Sequence, residues 1–427
     1  ALLLGALAAA AAAWRLAPGA GPARRPENAR SGRLVRLDSS VLGASGARCL
    51  DGSPPAYYHR PAPGNARGGA DGWLLYFQGG GWCVPGNGSH APFPPSLVER
   101  CGERAATPLG STLADPEVKD FDEKALFSRD PSRNPAFHDW HVVFLRYCDG
   151  ASFADPTGAA NFRAALNSLL AAGLRDAREV VVAGCSAGAV AAAIHADRVQ
   201  EAVPGPVVAL LDSGVFPDWS RPGPGRGPSE PRRSPAGVWA LDAELRRVFE
   251  ERGVAGAGAL PGACLRKHAG AGWRCLFLEH LLPFVVVPAF VLQSRFDSSN
   301  VRSLEQPGGL EALGAEVAAR LVPAVEPAAE AQAQAHHGLF LDSCFHHCMS
   351  WGEIRAEDGL TQPEAFLAWR RGRAFGTAGP WRWEHRQGNG SGPCWAQSCC
   401  ARARPDLGFW RGIFSDAAAV AARRTVE

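Results

Sequence analysis

Val180-Val181-Val182-Ala183 runs directly into Gly184-Cys185-Ser186-Ala187-Gly188, and an alanine-rich stretch follows. An apolar, β-branched strand, a G-x-S-x-G turn and then a helix form the context that a nucleophile elbow requires. The chain reverses so sharply there that the central side chain must project outward. The flanking positions must be glycine because the backbone on either side crowds itself. The pattern alone carries limited weight, since with 49 Gly in the chain roughly 0.3–0.4 chance matches are expected at average Ser usage. The preceding strand and following helix give it meaning, with Ser186 as the candidate nucleophile.

Strands and helical patterns alternate on either side of this turn. Continuous apolar runs at Trp73–Phe77, His141–Leu145, Val180–Ala183, Val207–Leu211, Ala289–Leu292 and Gly338–Leu341 read as buried strands. Between them Ala164–Leu174, Val238–Glu251, Leu310–Leu321 and Glu364–Arg371 read as helices. Apolar strands separated by helices predict an α/β fold, α/β-hydrolase-like, with a mostly parallel sheet covered by helices on both faces. The Pro/Gly/Arg-rich stretch at about 221–236 reads as a surface insertion, and no internal repeat is visible.

Composition narrows the classes of function. A length of 427 residues with 46% hydrophobic content supports a large core, and a net charge of +2 offers no basic footprint for nucleic acid. Twelve cysteines beside a single Met point to disulfides and an oxidising compartment. No zinc pattern emerges: no C-x-x-C pair recurs, and Cys394, Cys399 and Cys400 lack a histidine at ligand spacing. Two sequons, at Asn87 and Asn389, fit a secreted chain. Ala1–Ala13 is an apolar run with the length of a signal-peptide h-region. Residues 1–34 are therefore expected to be a signal peptide or signal anchor with a Pro/Arg-rich linker, followed by one catalytic domain over 35–427. Membrane attachment is expected only if that first segment stays uncleaved.

A serine nucleophile needs a base, and the base needs an orienting acid. In hydrolases of this architecture the chain order is Ser, acid, His. Acids just beyond a strand, at the sheet's carboxyl edge, are Asp212 and Asp297. For the base, His346 and His347 follow the last strand, whereas His336 and His337 precede it and are less suited. Spacing does not choose within either histidine pair.

Five blocks choose. Cys49-Leu50-Asp51-Gly52-Ser53-Pro54-Pro55-Ala56-Tyr57, Gly79-Gly80-Gly81-Trp82-Cys83, Arg146-Tyr147-Cys148-Asp149-Gly150-Ala151-Ser152-Phe153, Gly184–Gly188 and Ser343-Cys344-Phe345-His346-His347-Cys348 stand in this order along the chain. Together they resemble the pectin acetylesterase/Notum family of serine carboxylesterases, most closely its plant pectin acetylesterase branch, over about Cys49 to Cys400. The resemblance implies Ser186 as nucleophile, Asp297 as the acid and His347 as the base, with Asp212 in another family block and His346 at a variable position. It also implies an oxyanion hole from the N–H groups of Gly81, Trp82 and Ala187. It implies no metal or organic cofactor, and an acetylated polysaccharide such as pectin as substrate, with a Notum-like protein deacylase or a non-catalytic binding relative as alternatives. A monomer is expected.

The resemblance further implies disulfides Cys49–Cys148, Cys83–Cys101 and Cys264–Cys275, with Cys185, small and inside the elbow, expected free. The chain departs from the family in three places. Ser299 and Asn300 replace a Trp and a Gln, an exchange expected to widen that side of the site. Ala189 replaces a second glycine, and the helix read at Ala164–Leu174 looks shorter than in plant members.

Overall fold

Trp73, Leu75 and Phe77 face one hydrophobic core while Leu74 and Tyr76, alternating with them, face another. Period-2 alternation puts successive side chains on opposite faces, and a strand apolar at every position is buried from both sides. The computed structural model describes residues 30–37, 45–64, 72–86, 98–121, 124–218, 241–302, 309–325, 337–348, 350–352, 354–374 and 381–385.

Seven parallel strands form the body of the sheet: β3 (Gly72–Phe77), β7 (His141–Leu145), β8 (Glu179–Cys185), β9 (Val207–Asp212), β10 (Ala289–Ser294), β11 (Gly338–Asp342) and β12 (Arg382–Glu384). β1 (Ser31–Arg36), β2 (Ala56–Arg60) and β6 (Val118–Asp120) extend it antiparallel beyond β7, in the order β12-β11-β10-β9-β8-β3-β7-β2-β1-β6. A separate two-stranded ribbon pairs β4 (Trp82–Val84) with β5 (Val98–Arg100).

The six strands read from sequence are all present. β1, β2, β6 and β12 are not legible there, being three to six residues long and interrupted by polar or charged residues. β1 also begins within the stretch read as linker. One core contains apolar residues of the helices Pro156–Ala171, Ala187–Ala202 and Leu241–Glu251 and the C-terminal part of Gly309–Val325. The other is closed by the helix Gln362–Ala374 and by the aromatics Phe127, Phe137, Trp140 and Trp351. Helices thus lie on both faces.

The helix expected at Ala164–Leu174 instead spans Pro156–Ala171 and is not short. Its start is written in Asp155-Pro156: the Asp155 carboxylate accepts from Gly158 N–H at 2.6 Å, and Pro156 sits in the first turn. Gly173, at φ 112°, ends it, and Leu174 belongs to the following 3₁₀ turn. The apolar stripe alone shows only the second half of this helix. The insertion at about 221–236, both sequons, His336 and Cys394–Cys400 lie outside the described residues.

Phe290 on β10 is fully buried against Phe366, Trp369 and Trp383, with ring centroids 5.3–5.7 Å away. Phe290→Ala is expected to cost about 3–5 kcal/mol, read as a lowered urea midpoint. A loss under about 1 kcal/mol would mean that this second core is not packed as described.

Candidate active site

The elbow is shaped by backbone contact. A Cβ at Gly184 would collide with the Gly188 carbonyl, and one at Gly188 with the Phe77 carbonyl at the end of β3. Ser186, between them, has φ 59° and ψ −128°, a region that costs a non-glycine residue about 1–3 kcal/mol. Its N–H donates to the Asp212 carbonyl at 2.9 Å, which fixes the turn to β9. The helix Ala187–Ala202 starts immediately after it, so the first N–H groups point toward the serine without partners inside the helix.

The Gly79–Trp82 segment lies against this turn. A Cβ at Gly79 would meet the Cys185 carbonyl and the Ser186 Cβ. Gly80 and Gly81 adopt φ 141° and 65°, which bends the chain before Trp82 enters β4. Trp82 is fully buried, and its indole N–H donates to Ser152 Oγ at 2.8 Å. Ser152 Oγ in turn donates to the Ala187 carbonyl at 2.8 Å. Tyr147 hydroxyl donates to the Gly81 carbonyl at 2.8 Å and accepts from Ser152 N–H at 2.9 Å. Gly81, Trp82 and Ala187 are thereby held by one bracket built from Tyr147 and Ser152. Sequence reading noticed the Arg146–Phe153 block but assigned neither residue a task. The positive φ of Ser152 and Phe153 has no sequence signal beyond Gly150 nearby.

Across the sheet edge, His347 Nδ1 lies 2.8 and 2.9 Å from the two Asp297 carboxylate oxygens. Both side chains are nearly excluded from solvent. Asp297 also accepts from Ser299 N–H at 2.8 Å. Asp212, the other candidate acid, accepts from Ser213 Oγ at 2.9 Å and frames the elbow through its carbonyl. His346 points the other way, with Nε2 3.0 Å from Asp342 Oδ1. Burial pushes its pKa down, but Asp342 beside it, then Asp212 and Asp297, raise it to about 9. His337 is buried at the start of β11 and accepts from Ala289 N–H at 3.0 Å, away from the carboxyl edge.

Disulfides join Cys49 to Cys148, Cys83 to Cys101 and Cys264 to Cys275. Cys185, expected free, is bonded to Cys348. The correction has a topological reason: the bond links the residue before Ser186 to the residue after His347, across 163 positions of sequence, and nothing local in either segment announces it. A ring nitrogen of His347 lies within 4.8 Å of both sulfurs, so the elbow and the histidine loop meet. Cys185, His347 and Cys348 are the one cluster of three potential metal ligands among the described residues. Its two sulfurs are spent on each other, and a disulfide offers no thiolate to a metal. Ser299 and Asn300 are buried, the latter donating to the Val215 carbonyl at 2.9 Å.

Residues 33–357 match the family model for pectinacetylesterase. Pectin acetylesterase 11 of Arabidopsis thaliana is 28% identical over 75% of this chain and 81% of its own length. The palmitoleoyl-protein carboxylesterase NOTUM of Homo sapiens is 27% identical over 76% of this chain and 64% of its own. The crystal structure of the Wnt deacylase Notum from Drosophila superposes with a TM-score of 0.65 at 22% identity, covering 87% of this chain and 99% of that one. The fold and these likenesses define a carboxylic ester hydrolase. The chain belongs to the pectinacetylesterase family.

Ser152→Ala removes the acceptor of the Trp82 indole and the donor to Ala187 at once. Leaving two buried polar groups unpaired is expected to cost about 2 kcal/mol or more, seen in thermal denaturation. Ester turnover should fall by a larger factor than for Ser168→Ala, whose hydroxyl meets Tyr57 at 2.9 Å far from the elbow. Equal effects would mean that the bracket does not support the elbow.

Proposed function

We propose that this carboxylesterase is a secreted serine enzyme that removes O-acetyl groups from pectin or a related wall polysaccharide. The observation that carries the reading is the buried Asp297–His347 pair tied by the Cys185–Cys348 bond to a serine at positive φ. Ser186 Oγ attacks the ester carbonyl while His347 Nε2 takes its proton. Asp297 holds Nδ1–H and stabilises the imidazolium. The negative charge on the former carbonyl oxygen is met by the N–H groups of Gly81, Trp82 and Ala187. His347 then protonates the leaving sugar hydroxyl, and water, deprotonated by the same ring, releases acetate from the acyl-enzyme. No step calls for a cofactor. Disulfide bonding of the described cysteines supports passage through an oxidising compartment. Among the described residues no helix is long and apolar enough to cross a membrane.

The wall beside His347 bears on the acyl group. Phe216 stands 6.3 Å from its ring and packs edge-on to Trp82 at 5.3 Å. Both aromatics are buried, and this filled wall supports a short acyl group. The likeness to palmitoleoyl-protein carboxylesterases supports a second reading, removal of a fatty acyl group from a protein.

Ser186→Ala and His347→Ala are each expected to lower kcat on p-nitrophenyl acetate by several orders of magnitude, with His346→Ala much milder. Asp297→Asn should cost far more than Asp212→Asn. A crippling His346→Ala would displace His347 from the proposed role. On esters of two to eight or more carbons, kcat/KM should be highest for acetyl, with Ser186-dependent acetate release from acetylated pectin. Each buried methylene contributes about 0.8 kcal/mol, so a steady climb with chain length and no acetate from pectin or acetylated xylan would favour the deacylase. No Ser186-dependent turnover on any ester would leave a binding protein.

A further inference from the structure

Three carboxylates converge where β9, β10 and β11 end side by side. Asp212 closes β9, Asp342 closes β11, and Asp297 follows β10 by three residues. In register, Leu292 of β10 stands beside Asp212 and Ser294 beside Asp342. All three side chains are buried. The esterase mechanism uses only one of them. Buried like charges repel and each is costly to desolvate, so beyond the N–H and O–H donors from Ser299, Ser213 and Cys344 such a group is favoured in its ionised form by a compensating positive charge.

His347 cannot supply that charge in the resting enzyme, because its Nε2 must be unprotonated to accept the serine proton. His346 can. Its ring meets both Asp342 oxygens, at 3.0 and 3.2 Å, with 11% of the side chain exposed. Its backbone carbonyl accepts from Ser298 N–H at 3.1 Å, beside Asp297. Its Nδ1 is buried and makes no hydrogen bond among the described residues, so the ring's place is set by the ion pair through Nε2. The charged groups facing it are Asp342 at the end of β11, just before its own loop, Asp212 from β9 and Asp297 from the loop after β10. His347 follows it in the chain.

We propose that His346, ion-paired with Asp342, is a positioning residue whose imidazolium keeps neighbouring His347 neutral and competent as a base. The inference rests on the triad reading above. The sign follows from charge. A fixed cation disfavours a second protonation nearby, so it lowers the pH at which His347 loses its base form. Without it, three carboxylates favour protonated His347, and the acid limb of activity moves to higher pH.

The test compares pH profiles of kcat/KM on p-nitrophenyl acetate for the full-length enzyme, His346→Gln and His346→Gln/Asp342→Asn. The single variant removes one positive charge, and its acid limb should rise by about one pH unit, with the plateau reduced less than tenfold. The double variant removes the pair, and its limb should return most of the way to that of the parent. A purely structural role predicts the opposite order, with the double variant no better than the single. An unmoved limb in a folded His346→Gln protein overturns the proposal.

The second readout needs no variant at His346. Titration of histidine Cε1–H resonances in the Ser186→Ala protein should show a buried imidazole still charged above pH 8. Burial holds His59 and His195 down, to about 4 and about 3, and the signal of buried His280, 3.0 Å from Asp218 Oδ2, is identified by its loss in a His280→Gln variant. If no buried histidine stays charged past pH 7, the proposal fails even if His346→Gln does not fold. Failure of the triad reading has a different signature, undiminished turnover in Ser186→Ala.

Discussion

The site depends on a steric constraint, the crossing of three backbones within contact distance. The ends of β3 and β8 and the first turn of the helix Ala187–Ala202 meet where Gly79, Gly184 and Gly188 leave no room for a Cβ. That closeness forces Ser186 into positive φ and presents its side chain at the carboxyl edge of the sheet. It also brings the Gly81–Trp82 peptide to the same side as Ala187 N–H. A parallel sheet makes this possible because every strand delivers its following loop to one edge. The strain at Ser186 is offset by the packing of an elbow helix buried along most of its length.

Around that crossing, precision comes from hydrogen bonds that close loops on one another. Tyr147 and Ser152 hold the glycine loop and the elbow, while the Cys185–Cys348 bond holds the elbow and the histidine loop. Cys348 N–H also donates to Ser213 Oγ at 2.8 Å, and Ser213 leans on Asp212. Each loop of the proposed site is therefore fixed to a neighbouring strand end. A donor aimed at a developing oxyanion stabilises it only if it need not reorganise when charge appears, and for the proposed oxyanion hole this cross-bracing supplies that rigidity. Asp149 sits in the same region, pushed up to about 7 by burial and by Asp155 nearby. It accepts the N–H groups of Ala151 and Phe153, both at 2.9 Å, and so fixes the turn that carries Ser152.

What the sequence disclosed and what it hid divide along a physical line. Six strands were legible because burial on both faces writes an unbroken apolar run, and the elbow because steric crowding demands glycine at two fixed spacings. Asp297 and His347 emerged only through block resemblance, since strand-end position left Asp212 and His346 equally suitable. Geometry distinguishes the rings: His347 turns to Asp297 and His346 to Asp342. The Cys185–Cys348 bond and the Tyr147–Ser152 bracket join segments far apart in sequence, where no local propensity records the contact. The first half of the helix Pro156–Ala171 was missed because its Gly, Ala and Asn residues are buried without forming an apolar stripe.

Identity to a plant pectin acetylesterase and to an animal Notum enzyme is nearly the same, 28% and 27%, so overall likeness does not choose between acetyl and palmitoleoyl esters. In the proposed mechanism, the groups that move the proton and hold the oxyanion act on the ester group, which both substrates share. Discrimination must come from side chains beyond it, because a longer acyl chain gains transition-state binding only where buried methylenes find space. Trp82 is committed to Ser152 by its indole and cannot swing aside without breaking that buried hydrogen bond. Phe216 is pinned between that indole and the His347 ring. Opening this wall to a long chain therefore requires displacing groups that also support the Gly79–Trp82 loop. In the proposed mechanism, acyl length and catalytic geometry are thus coupled through the same two aromatic rings.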